Sequence, residues 1–485
     1  MRLSNRKFRY SCLYLAMTFF LTLQSCSSPN WIELFDGTSF KGWKASESTD
    51  SWRIENGMLV TRGTRSHLFY DGDVEKHNFK NFELMADVKT ESGSNSGIYF
   101  HTEYQDKGWP AKGYECQIFN NQVPQDGEGY IERKMTGSLY GVRNTWIAPI
   151  RDNEWFNYRI IVQDKTIRTY INGELISDYT EPDSLFRPEG TEGRYLSSGT
   201  FALQCHDPNS VVYFKNIKVR ILSDDLKSVG EPLMDIPLER RIVQHSTNNF
   251  PLMDLHVHLK GGLTLETALA NARKYGLNYG IAVNCGLKMG YETEKDLRKF
   301  LDNYQKPAHT YLAMQAEGRE WTDIFSDKII SEFDYVFTDA MTWTNKNGKR
   351  MRLWIEEETE VGNADDFMEQ LVDNIEKIIQ NEPVDIYVNA TYLPKEISAR
   401  YDELWTNERM DRVINVLVKN NVALEIGSRY LLPSATFIKR AKQAGVKFTF
   451  GTNNNNQNNL GHLENCLNMI DECNLEIADL WIPNK

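Results

Sequence analysis

A chain of 485 residues is longer than one hydrophobic core ordinarily organises, so two large domains are expected. The formal charge is −12 and no run of lysine and arginine forms a stripe, which argues against a nucleic-acid partner. Aromatic residues make up 12% of the chain, which suits packed β-structure and sugar stacking, although core packing is the default for any single ring.

The first segment reads as an address. "MRLSNRKFRY" is basic without an acid, and "SCLYLAMTFFLTL" is apolar but too short to span a bilayer as a mature helix. Residues 1–25 are therefore expected to be a signal peptide. The run ends in "LQSC", which resembles a bacterial lipobox, with the small Ser25 before Cys26. That resemblance implies cleavage and lipidation at Cys26; the alternative is a plain secretory signal with an incidental cysteine. A lipid anchor tethers a soluble body to a membrane surface without crossing it, and places the protein in a bacterial cell envelope, on the periplasmic side or the cell surface. Five cysteines then remain, an odd number without regular spacing, so no disulfide framework is expected. Cys466 and Cys473 are separated by roughly 10 Å along an expected helix, too far to bridge.

From Trp31 to Leu222 the hydrophobic period is two. Phe82, Leu84, Ala86 and Val88 alternate with polar neighbours, and "WFNYRIIVQDKTIRTYINGELIS" repeats the pattern. Turns are expected at Asp164-Lys165, at Asn172-Gly173 and at Asp207-Pro208-Asn209, and Asn-Gly between alternating runs is a strong hairpin signal. The pattern predicts an antiparallel, jelly-roll-like sandwich. Glu115 and Gln117 in "YECQI" are two apart and share a face, as do Gln204 and His206 in "LQCH". Polar pairs at period two on separate strands predict a wet sheet face, as a substrate cleft requires. Asn95 in "GSNSG" sits beside glycines that allow close backbone approach to a ligand. The simpler reading is the solvated face of an ordinary antiparallel sheet.

The ordered motifs "ELFDGTSFKGWK", "NSGIYF", "YECQI", "TGSLYG", "EWFNYRI", "INGELI" and "LQCH…VYFKNIKV" resemble the 3-keto-disaccharide hydrolase family, also called domain of unknown function 1080. The resemblance covers residues 31–222 and implies a concanavalin-like sandwich acting on glycosides oxidised to a ketone at C3, with no cofactor required. A ketone at C3 acidifies the C2 proton and leaves the C1 substituent β to the carbanion. Such a site needs a base, donors on the ketone oxygen and an acid for the leaving group. Glu115 and His206 are the expected proton-transferring pair, with Asn95, Gln117 and Gln204 positioning sugar oxygens. Trp155 and Asn157 match the family only loosely and are expected to be structural. His101 stands where the family usually has arginine, and Cys205 and Asp207 where it has aspartate and glycine.

Residues 223–249, polar, proline-containing and without strong periodicity, are expected to be a linker. From Phe250 short apolar runs alternate with amphipathic segments: "LMDLHVHL", "NYGIAVNC", "TYLAMQAE", "DYVFTDA", "VDIYVNA", "VALEIGS" and "KFTFGT". Seven strands with helices such as "LETALANARKYG" between them predict a (β/α)7-like barrel over 250–485, with function at the C-terminal strand ends. Residues 340–362 form a long connection on that face, as a lid would. His256 and His258 at the end of the first strand look like the start of a metal site. This region resembles the PHP superfamily of metal-dependent phosphoesterases, which implies those histidines and Glu317 as ligands, with Asp254 or Asp339 assisting. Elsewhere the pattern departs from the family: Asn284-Cys285-Gly286, Asn389 and Thr452-Asn453-Asn454-Asn455 stand where ligands are usual. Amides are poor ligands for zinc-like ions but good partners for hydroxyls. The sequence thus leaves room for a single divalent ion, or for none.

Two function classes follow. In one, the sandwich cleaves 3-keto-glycosides and the barrel is degenerate, accessory or sugar-binding. In the other, the sandwich only binds carbohydrate and catalysis belongs to a metal-dependent hydrolase barrel.

Overall fold

The computed structural model describes residues 30–121 and 131–483; the expected leader and Cys26 lie outside the described residues. No helix among the described residues is long and apolar enough to cross a membrane. The five described cysteines are free and buried.

The first domain is a sandwich of two antiparallel sheets, one of eight strands and one of five. In the larger sheet Phe82–Thr90 lies between Phe156–Gln163 and Val212–Ile221. The five-stranded sheet runs Trp43–Ala45, Ser66–Tyr70, Thr200–Cys205, Asn95–Thr102, Tyr114–Phe119. Alternation sorts the side chains: Leu84, Ala86 and Val88 meet Leu68, Ile98, Phe100, Cys116 and Leu203 in the shared core. The turns fall where the sequence places them. Asn172 and Gly173 both have positive φ, 51° and 86°, as a tight hairpin turn compatible with strand twist requires.

The five-stranded sheet is buried on its outer face as well, where loops cover it. That second face carries Tyr99, Glu115, Gln117 and Gln204, and so combines burial with polarity.

The second domain contains all seven expected strands, parallel and adjacent in chain order: Met253–Val257, Asn278–Cys285, Tyr311–Ala316, Tyr335–Thr338, Ile386–Tyr387, Ala423–Gly427 and Phe448–Gly451. The ends of the sheet meet to close the barrel. The Thr452 N–H and hydroxyl donate to Asp254 at 2.9 and 2.5 Å, and the Asn453 N–H donates to the His256 carbonyl at 2.9 Å. Helices start and stop on ordinary signals: Leu265–Tyr275 is capped by Thr264 and ends at Gly276, whose φ is 65°. Residues 340–362 form a small hairpin, Thr342–Thr344 with Arg350–Arg352, and a 3-10 turn at Glu356–Glu358.

The stretch read as linker is not plain coil. Asp235 caps a helix, Ile236–Thr247, by accepting from the Leu238 N–H at 3.0 Å. Its Glu239 is buried against Arg143 of the sandwich, whose Nε also donates to the Lys274 carbonyl of the barrel at 2.8 Å. Just beyond, Trp146 packs with Leu255, Tyr311, Tyr335 and Ile386 at the N-terminal end of the barrel strands. The Trp146 N–H donates to Asn278 Oδ1 at 2.6 Å. A sandwich tryptophan therefore plugs the barrel floor, while the barrel mouth opens at the opposite, C-terminal ends of the strands.

Candidate active site

All five residues expected to act in the sandwich, Asn95, Glu115, Gln117, Gln204 and His206, line one cavity of about 490 Å³ on the outer face of the five-stranded sheet. Its floor is set by strand register. Tyr99 pairs with Glu115 and Gly97 with Gln117, while Ala202 on the opposite flanking strand pairs with Tyr99. Gln204 and Glu115 thus stand on strands separated by a third, about 9–10 Å apart in the sheet. Yet Gln204 Nε2 donates to Glu115 Oε1 at 2.9 Å. The contact passes over Gly97, where a Cβ would lie only 2.6 Å from Glu115 Oε1. The missing side chain makes the hollow in which the carboxylate sits.

The amides are held in one orientation. Gln204 Nε2 also donates to the Tyr99 hydroxyl at 2.9 Å, and Gln117 Nε2 donates to Asn95 Oδ1 at 3.2 Å. The carbonyl oxygens of both glutamines are buried and have no hydrogen-bond partner among the described residues. They are acceptors available to sugar hydroxyls.

Burial pushes the Glu115 carboxyl above its ordinary range; the Arg194 charge and hydrogen bonds from Tyr99 and Gln204 oppose this without cancelling it. At the rim, His206 Nδ1 lies 2.7 Å from Asp207 Oδ2, and the ring packs on Trp109 with centroids 5.1 Å apart. Burial would raise the Asp207 carboxyl, but hydrogen bonds from His206, Ser210 and the Asn209 N–H hold it below the usual range. A carboxylate on Nδ1 orients the imidazole of this cavity-lining residue and leaves Nε2 unengaged by the carboxylate, the arrangement of a general base.

Sequence reasoning missed part of this wall. Tyr99, Trp109, Glu132, Tyr140 and Arg194 also line the cavity. The Tyr140 hydroxyl donates to Glu132 Oε2 at 2.9 Å, and Arg194 Nη1 donates to the Tyr140 carbonyl at 3.2 Å. Tyr99 was within reach of the period-two argument, since it faces with Asn95. Arg194 and Trp109 sit in irregular loops, where no spacing signal exists.

The departures noted in the sequence fall into place. His101 lies away from the cavity, 2.9 Å from the Lys80 carbonyl through Nε2 and accepting from the Ser197 N–H at 3.2 Å; burial pulls its pKa down to about 4. Cys205 faces the core. Asp207 is the partner of His206. Trp155 and Asn157 belong to the other sheet and are structural: lysines 89 and 215 stack on the indole, and Asn157 Nδ2 donates to Asp87.

The barrel mouth holds a second cavity, of about 320 Å³. His258 and Glu317 line it, but His256 lies beneath, with Nδ1 2.7 Å from Glu425 Oε2. The expected trio of His256, His258 and Glu317 does not line one cavity together, although His256 Nε2 has no hydrogen-bond partner among the described residues. Gln315 donates to Glu317 at 2.7 Å, Asn389 donates to Asp339 at 2.9 Å, and Asp254 is held by Thr452. Among the described residues no group of three or more His, Cys, Asp or Glu is placed to hold an ion. Glu425, the partner of His256, was not found from sequence. Burial, then the neighbouring Asp339, pushes Glu317 well above the usual carboxylate range, and burial raises Asp254 to about 6.

A two-sheet antiparallel sandwich with a polar cavity on the outer face of its smaller sheet defines a concanavalin-like fold. Residues 30–220 match the model of the 3-keto-alpha-glucoside-1,2-lyase-like domain, and the first domain belongs to that family. The chain is 25% identical over 231 residues to a 3-keto-disaccharide hydrolase of Bacteroides thetaiotaomicron, a match covering 40% of this chain and 78% of that protein. A candidate glycosyl hydrolase from Parabacteroides distasonis, a solved structure, is similar at 25% identity over 40% of this chain and 94% of its own, with a TM-score of 0.35. The histidinol phosphate phosphatase of Lactococcus lactis matches 46% of this chain and 94% of its own at 13% identity, with a TM-score of 0.32.

Proposed function

We propose that the sandwich cleaves the glycosidic bond of 3-keto-glycosides by elimination. His206 Nε2, with Asp207 behind it, takes the proton from C2. The C–H electron pair becomes the C1–C2 double bond, and the C1–O bond breaks toward the aglycone. Glu115, whose burial keeps its proton to higher pH than an ordinary carboxyl, gives that proton to the leaving oxygen. Water adding across the new double bond then releases the free 3-keto sugar.

Arg194 is the only lysine or arginine among the described lining residues, and it supplies positive potential for the negative charge that develops on the ketone oxygen. The unpartnered oxygens of Gln117 and Gln204 receive sugar hydroxyls, and Trp109 offers a stacking face. The observation that carries the reading is the meeting of Glu115 and Gln204 over Gly97, inside one cavity with a carboxylate-backed histidine. The family match and the curated relative's name support the same substrate class.

The test is aglycone release from a 3-keto-glucoside by the purified protein. His206→Ala and Glu115→Gln are each expected to slow release about 10²–10⁴-fold, the usual worth of a positioned acid or base. Release at wild-type rate by both variants would remove the assignment. Inert protein that still binds the keto sugar would leave the sandwich as a binding module.

A further inference from the structure

The barrel mouth is built from polar side chains that the sandwich reaction does not use. We propose that it is a separate binding site for a sugar unit carrying one carboxylate, a hexuronate. Its volume of about 320 Å³ is at the lower end of small-molecule sites, suited to one sugar ring.

Charge on the wall sets the ligand class. Lys260 and Arg429 both line the cavity, and among the described residues neither forms an ion pair. Arg429 Nη1 donates to the neutral amide of Asn453, at 3.3 Å, and its guanidinium packs on the Tyr430 ring, 5.0 Å from the centroid. Two cations on one wall that form no ion pair favour an anion, and the arginine fork matches a planar carboxylate.

The floor reads hydroxyls. Gln315 is 6% exposed; its Nε2 donates to Glu317 at 2.7 Å and its Oε1 has no hydrogen-bond partner. Gln315 lines the cavity, and its unpartnered oxygen calls for an O–H donor. Asn284 and Asn455 add amides able both to give and to accept. Trp354 and Tyr430 offer apolar faces for the C–H side of a sugar ring. Glu317 and Asp339, their carboxyls raised by burial, exchange hydrogen bonds with hydroxyls. One carboxylate, several hydroxyls and a flat apolar face together describe a uronic acid.

Isothermal titration of the full chain with glucuronate and with galacturonate tests this, with glucose and glucose 6-phosphate as comparisons. One saturable site for at least one uronate is expected, with glucose binding at least ten-fold more weakly. Arg429→Gln is expected to weaken the uronate about ten-fold, as loss of a charged hydrogen bond does. Lys260→Met, at an exposed position that tolerates substitution, gives a second reading should the arginine variant fail to fold. Glu115→Gln, in the other cavity, leaves uronate binding unchanged. The proposal is overturned by glucose binding as tightly as the uronates, by glucose 6-phosphate binding more tightly, by no saturable uronate binding, or by uronate binding that survives both cation substitutions.

Discussion

In the sandwich cavity the amides of Gln117 and Gln204 are fixed through nitrogen and present bare carbonyl oxygens, whereas in the barrel mouth the polar groups largely hold one another. His256 is engaged by Glu425, Asp254 by Thr452, Asp339 by Asn389, and the His258 N–H and carbonyl by the Asn454 side chain. Both cavities contain buried carboxylates raised by desolvation and a histidine. The difference lies in where the hydrogen bonds go. In the sandwich cavity the histidine is backed by its own carboxylate, Asp207, a pair that can move protons; in the barrel mouth His258 has no such backing among the described residues, and the site is better suited to recognition. A list of residue types does not separate the two sites, but their pairing does.

Breaking that contrast gives the largest effect. Glu115→Gln should remove about 10²–10⁴-fold of aglycone release. His256→Asn, which keeps a hydrogen-bonding group against Glu425, should leave release unchanged. Equal losses in the two variants would mean that the barrel takes part in the chemistry. Next in size is the joint between domains. Trp146→Ala is expected to cost about 3–5 kcal/mol in chemical denaturation, the usual range for deleting a buried large aromatic. The same segment carries Glu132 and Tyr140 into the sandwich cavity, so the variant should also raise KM for the keto sugar. A change in stability with KM unaltered would show that the barrel does not brace the cavity wall.

A subtler break concerns Gly97. This glycine lies within a strand, and its role rests on space rather than on backbone conformation. In Gly97→Ala the new Cβ would sit 2.6 Å from Glu115 Oε1 and 3.0 Å from its Cγ, so the carboxylate must swing off Gln204. Displacement of a catalytic group by about an ångström can cost about 10²-fold in kcat. Circular dichroism and melting should change little, which separates this variant from the tryptophan deletion. Wild-type kcat in Gly97→Ala would show that the Glu115–Gln204 contact is dispensable.

Most of the architecture was legible because it is periodic. Alternation of two marked the sandwich strands, Asn172-Gly173 marked a hairpin, and seven apolar runs gave the seven barrel strands in order. The convergence of Glu115, Gln117, Gln204 and His206 could be anticipated because strand neighbours two apart share a face. What escaped lacks a period or depends on a partner far along the chain. The Ile236–Thr247 helix is short and polar, although its start was readable in Asp235 as cap with Pro237 close behind. Arg194 reaches the cavity from a loop. The pairing of His256 with Glu425, 169 residues apart, is a consequence of barrel closure that no local pattern encodes. A His-x-His motif does not reveal which ring nitrogens are already taken: Nδ1 of His256 is, and its Nε2 has no partner among the described residues.

The smallest expected effect is the sharpest check on Glu115 as the acid. Its folded pKa is raised by burial, so its proton is present below that value and lost as pH climbs through it. Release should therefore fall on the alkaline side as Glu115 ionises. The folded protein holds this proton where the unfolded chain does not, so Glu115 also makes stability decline with rising pH, from the ordinary glutamate range up to the folded value. The Tyr99 hydroxyl stabilises the ionised form by hydrogen bonding and thereby lowers the pKa. Tyr99→Phe removes that stabilisation, and the alkaline limb of kcat/KM should move to higher pH. A limb that stays fixed in Tyr99→Phe, or moves to lower pH, would mean that another group sets it and that Glu115 acts in its ionised state.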